Sequence, residues 1–170
     1  MQTASVKLYT FSYRELRTYV AVALFVAGNI VLPQLCHLIP QGGLIWLPIY
    51  FFTLIAAYKY GWQAGVLTAV LSPTVNSLLF GMPAAEMLPI ILTKSLLLTA
   101  AASLTAHYTR RVSLLLVAAV VMAYQVVGGL AEWAMTGSLQ AALQDFRLGL
   151  PGILFQIVGG WMFLKYLLKK

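Results

Sequence analysis

Six apolar runs, separated by short polar or turn-forming stretches, leave this chain few ways to fold. They occupy residues 16–38, 44–58, 62–80, 87–106, 112–135 and 148–168. A run of about 20 apolar residues is long enough to cross a bilayer as a helix. In hydrocarbon every backbone N–H and C=O must be bonded within the segment, so a single-segment span is helical. Composition agrees: 61% of the 170 residues are hydrophobic and 9% are charged, against about 25% charged in soluble domains. The expected fold is an all-α integral membrane protein, one membrane domain over residues 1–170, built as a six-transmembrane-helix bundle.

Local signals set the expected boundaries. Residues 1–11 read as a loose tail without a cleavable leader, so the first run stays in the membrane. Ser12-Tyr13-Arg14-Glu15 has the hydroxyl-to-carboxylate spacing of a capping box ahead of an apolar run. Pro40-Gln41-Gly42-Gly43 and Lys59-Tyr60-Gly61 read as turns. The run 44–58, at 15 residues, is short and calls for little tilt or a thinned bilayer. Ser72-Pro73 is expected to interrupt the third span. Residues 136–147 form a polar connection with room for a short helix over 139–146. No internal repeat or low-complexity segment is present.

Charge sets the orientation. An even number of spans puts both termini on one side. Lys7, Arg14, Arg17, Lys59, Arg110, Arg111, Lys165, Lys169 and Lys170 then share that side, nine of the eleven basic residues. Arg147 lies opposite and Lys94 lies within a span. Basic loops face the cytoplasm, so both termini are expected there. The net charge of +7 is therefore a topology signal, and no nucleic-acid module accompanies it.

Buried polar residues point to a site. An ionisable group inside a span costs roughly 2.5 kcal/mol or more, which makes Lys94 a functional candidate by default. The bland alternative is that its long stem snorkels to the interface. At about 1.5 Å per helical residue, Lys94 lies roughly 10 Å below the outer end of the fourth span. Glu132, Asn76, Gln34 and Gln156 also fall in the outer half, and Asn29 and Gln125 fall near the midplane. Interhelical amide bonding is the ordinary role for Asn and Gln. Their shared depth beside one cation and one anion is read as an outward-opening, water-accessible pocket. Gly128 and Gly129 leave one face of the fifth helix closely approachable. Trp133, next to Glu132, is placed at the pocket mouth, with Met82 and Met87 as adaptable apolar filler. The expected substrate-binding residues are thus Lys94, Glu132, Trp133, Asn76, Gln125, Gln156 and Gln34. A cation on a helix whose N-terminus faces outward favours an anion, so the ligand is expected to carry a carboxylate or to be zwitterionic. Lys94→Met is expected to weaken its binding.

Enzymatic groups are missing. The sequence has no HExxH, no GxSxG, no Walker motif and no second cysteine to pair with Cys36, so neither an enzyme nor a resident cofactor is expected. Cys36-His37 offers two soft ligands without a third. Nothing polar crosses the inner half, which argues against a channel.

A six-helix, basic-inside bundle with an outward polar pocket and no energy-coupling motif resembles the substrate-binding S components of energy-coupling factor (ECF) transporters. Ala23-Leu24-Phe25-Val26-Ala27 has the AxxxA spacing which that family uses in its first helix for docking. The third span, with Ser72-Pro73 and then Phe80-Gly81-Met82-Pro83, resembles the helix and loop that precede the family's fourth helix. The resemblance implies a high-affinity binding subunit in a bacterial or archaeal cell membrane. It would capture a vitamin or similar micronutrient from outside and dock through Ala23 and Ala27 on a T component with two ATP-binding subunits. The competing expectation is a non-transport scaffold, such as an MreD-like cell-shape protein.

Overall fold

In the computed structural model, residues 4–5 and 12–168 are described. Residues 1–3 and 6–11, Lys7 among them, and Lys169 and Lys170 therefore lie outside the described part, as does the cytoplasmic placement expected for them. Within it the regular structure is helical apart from one pair of two-residue strands. Helix α1 spans Leu16–Cys36, α2 Gly42–Trp46, α3 Phe51–Phe80, α4 Leu88–Thr109, α5 Leu114–Thr136, α6 Leu139–Ala142, α7 Gln144–Arg147 and α8 Leu150–Leu168. Four helical stretches are long and apolar enough to cross a membrane: Leu16–Cys36, Pro48–Phe80, Leu88–Thr109 and Leu114–Thr136. Leucines such as Leu24, Leu78 and Leu115 stand exposed on the outside, as a lipid-facing surface requires.

Helix α3 is two helices joined at Gly61. That residue has φ 86° and ψ −174°, a region open in practice to glycine alone. A Cβ on Gly65 would sit 2.8 Å from the Cβ of Ala57. Along one straight helix those positions would be about 12 Å apart. The arms 51–60 and 62–80 therefore lie antiparallel, reversing where Lys59-Tyr60-Gly61 predicts a turn.

The first arm is only about 15 Å long by helical rise, half the roughly 30 Å of hydrocarbon. Its surroundings explain how that is tolerated. Every residue from Thr53 to Tyr58 is fully buried, and a helix apolar on all sides belongs inside a protein. Asn29 of α1 bonds Thr53, Leu54 lies beside Gly160 of α8, and the Tyr58 hydroxyl donates to the Arg111 carbonyl at 2.7 Å. Leu54, Ile55 and Tyr58 form the core with Leu98, Val121 and Leu164. Sheathed by protein along most of its length, this arm has little lipid contact to match.

Several expectations change. The run 44–58 is not one helix: Leu47 takes a left-handed conformation (φ 45°, ψ 46°) between α2 and a single 3-10 turn, Pro48–Tyr50. The helix runs through Pro73 instead of breaking there. The capping box does not form; α1 starts at Leu16 with Glu15 as a cap making no side-chain bond, while Ser12 Oγ accepts from the Arg14 N–H. The connection after α5 holds two single turns, α6 and α7, in place of one helix. In the tail, strand β1 (Ala4–Ser5) pairs antiparallel with β2 (Arg111–Val112). With Tyr58 bonded to Arg111 and α8 also contacting β2, one end of the bundle gathers the Gly61 turn, the α4–α5 link, the N-terminal strand and the last turns of α8. The opposite end carries α2, the α3–α4 loop and the α6–α7 turns.

Candidate functional site

Three polar groupings and one cavity stand out within the bundle. The first centres on Lys94, whose Nζ lies 2.5 Å from Glu132 Oε2 and 2.8 Å from Asp145 Oδ2. Lys94 and Glu132 are buried, at 4% and 6% side-chain exposure, and Asp145 nearly so, at 13%. Gly128 makes this approach available, because a Cβ there would stand 2.8 Å from Lys94 Cγ. Glu132 is therefore the lysine's direct partner and not a group facing it across a pocket. Asp145, brought in by α7, is the second partner. The lysine does not snorkel, and both its ion-pairing directions are filled from within the chain.

The second grouping ties α5 to α8. Tyr124 donates to Gln156 Oε1 at 2.7 Å and accepts from Gln125 Nε2 at 3.0 Å, and Gln156 Nε2 donates to the Leu47 carbonyl at 3.3 Å. That carbonyl, at the left-handed break, also accepts from the Tyr50 N–H at 3.4 Å, so Gln156 adds a second donor and ties α8 to the broken segment. Gln125 Oε1 and, on α4, Ser95 Oγ and Thr99 Oγ1 are buried without partners among the described residues.

The third joins α1 to both arms of α3. Asn29 Nδ2 donates to Thr53 and Ser72 hydroxyls at 3.0 Å each, and its Oδ1 accepts from the Phe52 N–H at 3.1 Å. Asn76 Nδ2 donates to the carbonyls of Asn29 at 2.8 Å and Ser72 at 3.2 Å. These two acceptors fix the orientation of the Asn76 amide, and its Oδ1 is left buried and unpartnered.

Asn76 also forms part of the wall of a cavity of about 460 Å³. The rest of the wall comes from the end of α1, the α1–α2 turn, the broken stretch at Pro48 and Ile49, the α3–α4 loop and Ile91. Irregular backbone at membrane depth is tolerated where it is covered by protein or lines a cavity, and the interrupted helix at Leu47 does both. Four of the chain's seven prolines, Pro33, Pro40, Pro48 and Pro83, stand in the wall. Their fixed φ values make it largely preformed. Met82 and Met87 line it beside His37 and Gln41, and no Lys, Arg, Asp or Glu does.

Of the seven expected substrate-binding residues, only Asn76 faces this cavity. Lys94 and Glu132 are joined in the ion cluster, and Gln125 and Gln156 in the Tyr124 network. Gln34 is half-buried and Trp133 is 47% exposed on α5, both outside the cavity wall. Ala23 and Ala27 are exposed on α1, so they are not packed inside the chain. Cys36 is a half-buried free thiol, and no group of three metal-ligating side chains occurs among the described residues. Sequence reading missed Asp145. One signal was available: the chain has only four carboxyl side chains, and this one sits among Leu143, Phe146 and Leu148. Ser95, Thr99 and Tyr124 carried no such signal. No protein-family model, curated protein or solved structure matches this chain.

Proposed function

We propose that this protein is the membrane-embedded substrate-binding subunit of an ECF-type importer. In this reading both termini are cytoplasmic, and a vitamin-like micronutrient is captured from outside. The observation that carries it is the cavity between α1, the broken segment 42–50 and the α3–α4 loop, at the end opposite the Gly61 turn and the basic α4–α5 link. A cavity of this size falls within the range typical of small-molecule sites. No wall residue comes from the Gly61 end, so delivery inward needs a partner that moves or opens the subunit. The exposed Ala23 and Ala27 give α1 a flat strip on which a T component with two ATP-binding subunits would dock, small residues being what lets membrane helices approach closely. A scaffold role gives no use to a preformed cavity.

The test is purification from the native membrane in mild detergent, with mass spectrometry of any retained solute and of co-purifying subunits. Wild-type protein is expected to retain a solute and to bring down a T component and ATPases. Ala23→Trp with Ala27→Trp is expected to keep the solute and lose the subunits. Orientation is checked in a Cys36→Ser background, where a cysteine at position 41 is expected to react from outside and one at position 110 from inside. Labelling of position 41 from the cytoplasm alone overturns the outward pocket.

A further inference from the structure

Resting on that reading, we infer that the cavity takes an uncharged, largely apolar solute that donates an N–H or O–H to Asn76 Oδ1. Three observations converge. The wall contains no Lys, Arg, Asp or Glu side chain, His37 being its one titratable group, so no fixed charge there answers a carboxylate or phosphate, and an unpaired buried charge is strongly disfavoured. Lys94, on which an anionic ligand would depend, is engaged by Glu132 and Asp145 and stands outside the wall. The ligand expected from the sequence, a carboxylate held by Lys94, therefore gives way to a neutral one.

The third observation is Asn76 itself. It is 1% exposed, and both N–H groups go to the carbonyls of Asn29 and Ser72. Reversing the amide would set its oxygen against two other acceptors, so Oδ1 has to remain where it is. Buried amide oxygens nearly always find a donor. None comes from the described residues, and the cavity is the neighbouring space from which one can arrive. Around it, Met82, Met87 and Ile91 offer adaptable apolar contact, with methionine sulfur suited to an aromatic ring. The solute this describes is a flat or compact neutral body with one donor pointed at Asn76.

The test uses protein in lipid nanodiscs, equilibrium dialysis and three probes: 2-quinolinone, its N-methyl derivative and its 4-carboxylate, with protein-free nanodiscs subtracted. The parent lactam is expected to bind. Methylation replaces the donor hydrogen with a methyl group and is expected to weaken binding at least about 3- to 10-fold, the usual net worth of one hydrogen bond. The carboxylate is expected to bind at least about 10-fold more weakly. Ala84→Trp, which fills the cavity from the exposed loop, is expected to abolish binding of the parent. In Asn76→Leu, where it folds, the lactam and its N-methyl form are expected to bind alike. Equal wild-type affinity for those two, tighter binding of the carboxylate, no binding of the parent, or full binding by Ala84→Trp each overturns the inference. A solute retained from cells alongside any of these failures leaves the binding-subunit reading standing; no retained solute and no probe binding sinks both.

Discussion

The seam between α4, α5 and α7 and the seam between α1 and α3 bury polar side chains at similar depth, yet they do so in opposite ways. At the first, a lysine meets two carboxyl groups and the site is closed by its own side chains. At the second, the amides of Asn29 and Asn76 bridge helices and one carbonyl oxygen is left over beside a cavity. The difference follows from the cost of each kind of group. An ionised group in a low-dielectric interior demands a counter-charge immediately, so a charge cluster tends to be completed inside the fold. A neutral acceptor tolerates being unpaired at a cost of only about 1–3 kcal/mol, and can be held ready for a partner from outside. The more conspicuous charges are thus the poorer guide to the binding surface here.

Breaking the charged seam should have the largest effect. Lys94→Met leaves Glu132 and Asp145 together without a cation and is expected to destabilise the bundle by about 3–5 kcal/mol, read as a lower unfolding temperature in detergent. Adding Glu132→Gln and Asp145→Asn should recover most of the loss, because a neutral replacement of a whole buried cluster is often tolerated. A Lys94→Met protein as stable as wild type would return Lys94 to snorkelling.

A smaller effect is expected from Gly128→Val on the same seam. Its Cβ would stand 2.8 Å from Lys94 Cγ, near the base of the side chain where little adjustment is available. Overpacking of this kind costs about 1–3 kcal/mol. An unchanged unfolding midpoint would mean that the lysine stem does not cross α5 at that point.

The neutral seam should be more forgiving. Asn29→Leu removes three side-chain hydrogen bonds, each worth about 0.6 kcal/mol in membrane helices. The expected loss is about 2 kcal/mol by the same measure. A loss as large as that of Lys94→Met would erase the contrast between the seams.

Smallest of all is Ala27→Trp, at an exposed position. It is expected to change the stability of the isolated protein by less than about 0.5 kcal/mol, as surface changes generally do. A marked fall in its unfolding temperature would show that this face packs within the protein and is not free for a partner.

Periodicity and punctuation determined much of the fold by themselves. Helix ends at Leu16, Leu88 and Leu114 lie within two residues of the expected positions, since apolar runs in a bilayer have helix as the low-cost solution. Gly61 turned the chain as expected because few other residues accept its backbone angles. Depth could be counted from helical rise, so the chain itself marked Lys94, Glu132 and Asn76 as buried polar groups. Their partners could not be read that way. Asp145 reaches Lys94 across 51 residues of sequence, through single turns whose placement no periodicity sets. The break at Leu47 lies in a run that reads as uniformly apolar, and the carbonyl there takes a second hydrogen bond from Gln156, 109 residues away. Which polar atoms are paired, and which are left without partners, depends on contacts between distant segments, and those exist only once the helices have packed.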